Sequence, residues 1–387
     1  MVRQMPDVLM YADTFRSPEL RHEVPLGVGD PFLYAEKDGV KHIAIGSMEI
    51  PRLAALGLFE LHPGEEYGAD ELIGSGLSRA DVNHEVVLRA VKGLGILSAV
   101  VPETFPLWLA DLLRAEGVDL TVDAGFFDAR RRTKTEAELA GIRRAQSAAE
   151  AGMDTCRDLL RRSARETTAG NGGNLTLEGE PLTVERVKSA MAQTFAANGT
   201  IAEEFIVAPG PQGAVGHDMG SGPIRAGVPI VVDIWPRDNE SFMFSDMTRT
   251  FVVGDVPDDV REWHRLCKEA LDRAISEIKD GAGGRSIFDG TCEIFEAAGE
   301  PTQRTKTPGE TLANGFFHGL GHGVGLEVHE APGMGLAEKL SLQAGDVVTV
   351  EPGLYRQGYG GVRLEDLVLV TAGGAENLTR YPYDLAP

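Results

Sequence analysis

Cysteine is scarce in this 387-residue chain. The three present, Cys156, Cys267 and Cys292, are odd in number and far apart, so neither a disulfide framework nor a cysteine-based zinc site is predicted. Long apolar runs are missing as well. No segment reaches the length of a membrane span, and the opening MVRQMPDVLMYADTF lacks the continuous apolar core of a signal peptide. A membrane partner is therefore not expected, and a reducing, cytoplasmic compartment is. Positive charge is also short: 37 Lys and Arg stand against 59 Asp and Glu, a net charge of −22, and a nucleic-acid partner is excluded because phosphate binding relies on clustered cations. No internal repeat is visible.

What remains is ordinary globular composition, with 42% hydrophobic and 25% charged residues. The length exceeds what one hydrophobic core organises, so two domains are expected. In the first part, HIAIG (His42 to Gly46) and ILSAVVP (Ile96 to Pro102) read as short buried strands and LWLADLLRAEG (Leu107 to Gly117) as a helix closed by glycine, an α/β pattern. After the basic cluster Arg130 to Arg132, TEAE (Thr135 to Glu138) has the form of a capping box. Leu139, Ile142, Gln146, Ala149, Met153, Cys156 and Leu160 then mark one face of a long amphipathic helix. The boundary is placed just before it, giving domains 1–132 and 133–387. Thr168 to Thr183 reads as a surface excursion or small hairpin, and helices are predicted from about Val187 to Gly199 and from about Pro257 to Gly281. Between and beyond them, FIVAPG, PIVVDIW, MTRTFVVG, VVTVEPGLY and RLEDLVLVT read as strands, so the second domain is sheet flanked by helices.

Three of the nine histidines, His318, His322 and His329, fall in FFHGLGHGVGLEVHEAP among four alternating glycines. The spacing of the first two suits a metal-binding pair on a helix, but the glycines make that helix improbable. Acids occur in strands that are otherwise nearly apolar: Asp233 in PIVVDIW, Asp246 ahead of MTRTF, Glu351 in VVTVEPGLY, and Glu365 two residues after Arg363 in GGVRLED. Singly, each reads as a turn or cap residue. Brought together without cations they would repel and several would protonate, whereas two divalent ions would neutralise them. Oxygen-rich ligation with one imidazole fits Mn²⁺, Co²⁺ or Zn²⁺.

Those motifs, in the order Asp, Asp, His, Glu, Glu, resemble the pita-bread metallopeptidases, in the branch of Xaa-Pro dipeptidase (prolidase) and aminopeptidase P. The resemblance covers nearly the whole chain. It implies a small creatinase-like N-terminal α/β domain and a catalytic domain with a curved antiparallel sheet flanked by helices. By that resemblance Asp233 binds one metal, Asp246 and Glu365 bridge both, and His322 and Glu351 complete the other. His217, His318 and His329 match active-site histidines. The span from Asp233 to Asp246 is longer than usual for the family, which leaves the local hairpin open.

The activity implied is hydrolysis of the bond before proline by a hydroxide bridging two metals. Glu351 shuttles the proton, His329 and His217 stabilise the oxyanion, and His318 helps wall the proline ring. Many prolidases carry an arginine soon after the HE of the last histidine motif. Here Gly333 stands there, and Arg363 is the cation expected to serve a substrate carboxylate. A dipeptidase is favoured over an aminopeptidase P. Methionine aminopeptidase shares the ligand order but lacks such an N-terminal domain, creatinase uses no metal, and an inactive protein-binding relative would lose ligands. A homodimer is expected by resemblance alone.

Overall fold

The computed structural model describes residues 6–166 and 172–387. Contacts divide the chain into two units, Met1–Arg131 and Arg132–Pro387.

The first unit is built on one six-stranded mixed sheet. Val8–Ala12, Phe32–Lys37 and Val40–Ile45 form an antiparallel meander, and Glu60–Pro63, Ser98–Val101 and Asp119–Val122 join it in parallel. Parallel joins require crossovers. Helices Arg79–Gly93 and Leu107–Ala115 lie in two of them, the second followed, as predicted, by a glycine, Gly117, at φ 86°. Period-two alternation supplies a core on each face: Leu9, Leu33 and Ala35 pack with Val87, Val91 and Leu109, whereas Val8, Met10, Phe32 and Tyr34 pack with Leu20, Leu53 and Phe127.

The second unit opens with the helix Glu136–Glu166. Its capping box forms as predicted: the Glu138 N–H donates to Thr135 Oγ1 at 3.2 Å and the Thr135 N–H to Glu138 Oε2 at 2.8 Å. Ile142, Gln146, Ala149, Met153, Cys156 and Leu160 are buried along one face. Gly152 lets helix Val184–Ala197 approach closely, since a Cβ there would stand 2.2 Å from the Phe195 ring. The predicted excursion contains a hairpin, Thr176–Leu177 with Glu180–Pro181, turning through Glu178 and Gly179 at φ 58° and 79°. Its residues 168–171 lie outside the described residues. The helix expected to reach Gly281 ends at Glu277, and a further helix, Gly284–Ala297, follows. Flanking glycines hid that helix from sequence reading, although Ile287, Phe288, Cys292 and Phe295 are buried at helical spacing.

Strands of this unit pair antiparallel in several small sheets. Ile206–Pro209, Pro229–Ile234 and Met247–Val252 form one; Asn314–Gly315, Gly353–Arg356 and Gly360–Arg363 another. A third runs in the order Glu330–Met334, Gly321–Gly323, Val347–Val350, Asp366–Thr371, Gly374–Asn377. Two predicted strands are thereby each divided. VVTVEPGLY breaks at Glu351 and Pro352, where proline lacks a ladder N–H, and RLEDLVLVT breaks at Leu364 and Glu365. Each break passes the chain from one sheet to another and leaves an acid at the crossing. The mixed α/β architecture matches the sequence-based expectation.

Candidate metal centre

Every site residue singled out from the sequence lines one cavity of about 800 Å³: His217, Asp233, Asp246, His318, His322, His329, Glu351, Arg363 and Glu365. Neighbouring strands deliver them. Asp233 lies in the strand Pro229–Ile234 opposite Thr248, and Asp246 immediately precedes the partner strand. The long connection between the two aspartates folds as a packed excursion: Asp238 accepts from Arg144 at 3.0 and 2.8 Å and from the Ser241 N–H and O–H at 2.8 and 2.6 Å. Glu351 is fixed by its own N–H, which donates to Leu320 O at 2.7 Å, and Glu365 by its N–H donating to Thr248 O at 3.1 Å.

Asp246, His322 and Glu365 each offer a ligand atom, all within 4.8 Å of one another. His322 Nε2 lies 3.8 Å from Asp246 Oδ2 and 3.6 Å from Glu351 Oε1. These spacings are too long for hydrogen bonds. They suit atoms grouped around a cation, since ligands at ~2.1 Å from one ion stand roughly 3 Å or more apart. Glu351 Oε2 is 3.8 Å from His318 Nδ1.

Hydrogen bonds fix the imidazoles. His322 Nδ1 lies 3.1 Å from Gly323 O, which can only accept, so Nδ1 carries the proton and the Nε2 lone pair faces the acids. His318 is held likewise, with Nδ1 2.7 Å from Gly319 O and Nε2 2.9 Å from the Tyr355 hydroxyl. Burial, reinforced by Arg363 beside His318 and by His329 beside His322, pushes both rings down to about 3, so both are neutral.

The acids are crowded. With protein neighbours alone, burial and then the charges of Glu365, Asp233 and Glu351 hold Asp246 well above the usual carboxylate range. Burial, then Asp233 and Glu351, does the same to Glu365. Burial, only partly offset by Arg363, lifts Glu351 to about 8. Asp246 Oδ1 is buried with no hydrogen-bond partner. A buried carboxylate oxygen without a hydrogen bond, set among repelling acids, is a donor that a cation satisfies, and the residues present fit a divalent metal.

Arg363 is held within the cavity lining by three partners. Its Nη2 donates to Asp233 Oδ2, its Nη1 to the Tyr355 hydroxyl at 2.8 Å and its Nε to Thr248 Oγ1 at 3.3 Å. Three of its five N–H groups are thus engaged by the protein, and the guanidinium orients Asp233. Tyr355 and Thr248 were missed from the sequence. Both lie inside recognised motifs, VEPGLY and DMTRTF, but a hydroxyl gives no signal until its partners are placed. Trp235 and Glu204 also line the cavity.

The alternating glycines are explained by space. A Cβ at Gly321 would meet Thr349 O at 2.0 Å, and one at Gly323 would meet Ala331 O at 2.5 Å. None of Gly319, Gly321, Gly323 and Gly325 has a positive φ, so at Gly321 and Gly323 close approach of backbone, not unusual torsion, requires glycine, and at Gly325 the Glu330 carboxylate occupies the space.

Four carboxylates and one imidazole converging in a cavity form the donor set of a divalent-metal protein. The profile of metallopeptidase family M24 matches residues 140–372, and the chain belongs to that family. It is 36% identical over 183 residues to an Xaa-Pro dipeptidase of Pyrococcus furiosus, a stretch covering 47% of this chain and 49% of that one. The matched region thus spans about half the length of that relative. Among solved structures, the fold is similar to an Xaa-Pro dipeptidase from Bacillus anthracis, with TM-score 0.76 and 22% identity over 98% of this chain and 94% of the other. It is equally similar to an X-Pro aminopeptidase from Thermotoga maritima, with TM-score 0.76 and 22% identity over 98% and 97%. Among the described residues no helix is long and apolar enough to cross a membrane.

Proposed function

We propose that this chain is a metal-dependent Xaa-Pro peptidase, acting on Xaa-Pro dipeptides. The observation that carries the reading is the convergence of Asp233, Asp246, His322, Glu351 and Glu365 on one cavity. The 36% identity over 183 residues to an Xaa-Pro dipeptidase supports the substrate class. In this reading residues 133–387 form the catalytic domain, residues 1–132 a creatinase-like N-terminal domain, and the protein is a cytoplasmic homodimer.

Asp246 and Glu365, with Asp233, His322 and Glu351, would hold two divalent ions, Mn²⁺, Co²⁺ or Zn²⁺. When bound, such ions acidify water towards neutral pH and polarise the scissile carbonyl. The protein's own groups do the rest. Glu351, a carboxylate in the cavity wall, takes a proton from the attacking water and delivers it to the departing proline nitrogen. His329 and His217 donate to the carbonyl oxygen as charge develops on it. Arg363 holds Asp233 through Oδ2. Phe317 and Trp235 line the same cavity and supply apolar surface for a ring, while His318 is fixed by the Tyr355 hydroxyl. The X–Pro amide has no N–H, so recognition there rests on shape.

A panel of Xaa-Pro dipeptides and Xaa-Pro-Xaa tripeptides, assayed with each metal and with chelator, tests the reading. Metal-dependent cleavage before proline, faster on dipeptides, is expected. Cleavage of Met-Ala peptides instead, or none with any metal, contradicts it.

A further inference from the structure

Outside the residues assigned so far, Lys134 and Glu330 form an ion pair with side chains only 3% and 2% exposed. Burying two charges brings little net stability over an apolar pair of the same shape, so a reason for this pair is sought in what it holds. Glu330 follows His329 directly and begins the strand Glu330–Met334, where it pairs with Gly323, the residue after His322. Its carboxylate fills the space over Gly325, where a Cβ would come within 2.4 to 2.8 Å of it. The loop between is fixed by the Val324 N–H donating to Val347 O and the Phe244 N–H to Gly325 O, both at 2.8 Å. That loop returns His329 onto His322, their ring centroids 4.1 Å apart at 83°.

Lys134 is itself rigidly based. Arg132 makes a two-pronged ion pair with Asp346 at 2.9 and 2.6 Å, Thr133 packs where a Cβ on Gly345 would lie 3.5 Å away, and Thr135 opens the capping box. The ammonium is thus a fixed charge in the second unit, to which the carboxylate beside His329 is tied.

We propose that Lys134 is a positioning residue: through Glu330 it sets the placement of the His329 imidazole against His322. The consequence for catalysis rests on the role given to His329 above; the placement itself does not.

The test is K134M/E330M, which removes both charges at similar volume. Thermal stability and bound metal per chain are expected to stay near native, while kcat on an Xaa-Pro dipeptide falls by about 10²-fold with a much smaller change in KM. Added to H329A, the double change is expected to cost no further activity, because both act through one ring. Native kcat in a variant that folds with native metal content, or losses that multiply fully with H329A, overturns the catalytic consequence. A crystal structure of K134M/E330M reads the placement without any assay. A displaced His329 ring supports the proposal, and an unmoved ring overturns it, even if the native chain proves inactive on Xaa-Pro peptides. Should K134M/E330M not fold, K134M/E330Q, which also removes the tie between the two side chains, is read in the same way.

Discussion

Thr248 holds Glu365 twice: its hydroxyl donates to Glu365 Oε2 at 2.7 Å, and its carbonyl accepts the Glu365 N–H at 3.1 Å. Backbone and side chain of the acid are therefore oriented by one residue of the strand Met247–Val252. The same hydroxyl accepts from Arg363 Nε at 3.3 Å, so Asp233 and Glu365 share a support.

Thr248→Val keeps the shape and removes that support. Divalent-metal affinity, measured by chelator competition, is expected to fall by about 10- to 100-fold, with a stability loss near 1 kcal/mol. Unchanged affinity would show that Glu365 is oriented without the hydroxyl.

Glu351→Gln retains the volume and removes the group that carries the proton. A fall in kcat of roughly 10²- to 10⁴-fold is expected, with native circular dichroism. A native rate would remove Glu351 from proton transfer.

Asp246→Asn is expected to act with opposite signs in chelator and in metal. Burial and the neighbouring acids hold Asp246 well above its ordinary value, so its ionised form opposes folding when no cation offsets it. That opposition is absent below the ordinary carboxylate range and appears as pH rises through the raised folded value. In chelator near neutral pH the variant should therefore melt at or above native, and native itself should gain stability on mild acidification. With a divalent ion at 100 times its dissociation constant, native should gain about 2.7 kcal/mol and the variant much less. Thermal melts in both buffers decide this; equal metal stabilisation would be inconsistent with ligation by Asp246.

Asp238 shows the reverse linkage. Burial pushes its carboxyl up, but hydrogen bonds from Arg144 and Ser241 more than offset that and leave it below its ordinary value. Its contribution is full above the unfolded value and is lost as pH falls through the lower folded value. Asp238→Asn is expected to cost about 1 to 3 kcal/mol at pH 7. In urea unfolding the gap from native should narrow below about pH 4. A gap independent of pH would show that the charge is not what holds the excursion.

Much of this was legible in the sequence because it rests on local patterns. The capping box at Thr135, the buried stripe from Ile142 to Leu160 and the apolar strand around Asp233 depend on neighbours along the chain. What escaped depends on partners far apart in sequence. The strand breaks at Glu351 and Glu365 are invisible in apolar runs that continue across them, because the change of sheet is set by Leu320 and Thr248. The engagement of Arg363 with Asp233 and Tyr355 could not be read from a lone arginine in GGVRLED. Helix Gly284–Ala297 was masked by glycines at a start where Gly333 O would lie 2.5 Å from a Cβ on Gly284, so packing rather than propensity chose the residue.

The most direct measurement is elemental analysis of the native chain and of D246N/E365Q after equilibration with Mn²⁺, Co²⁺ or Zn²⁺ and removal of free ion. Two divalent ions per native chain and a loss of at least one in the variant are predicted. A native chain that retains none, or a variant that retains as many as native, would contradict the metal centre on which the proposed hydrolysis depends.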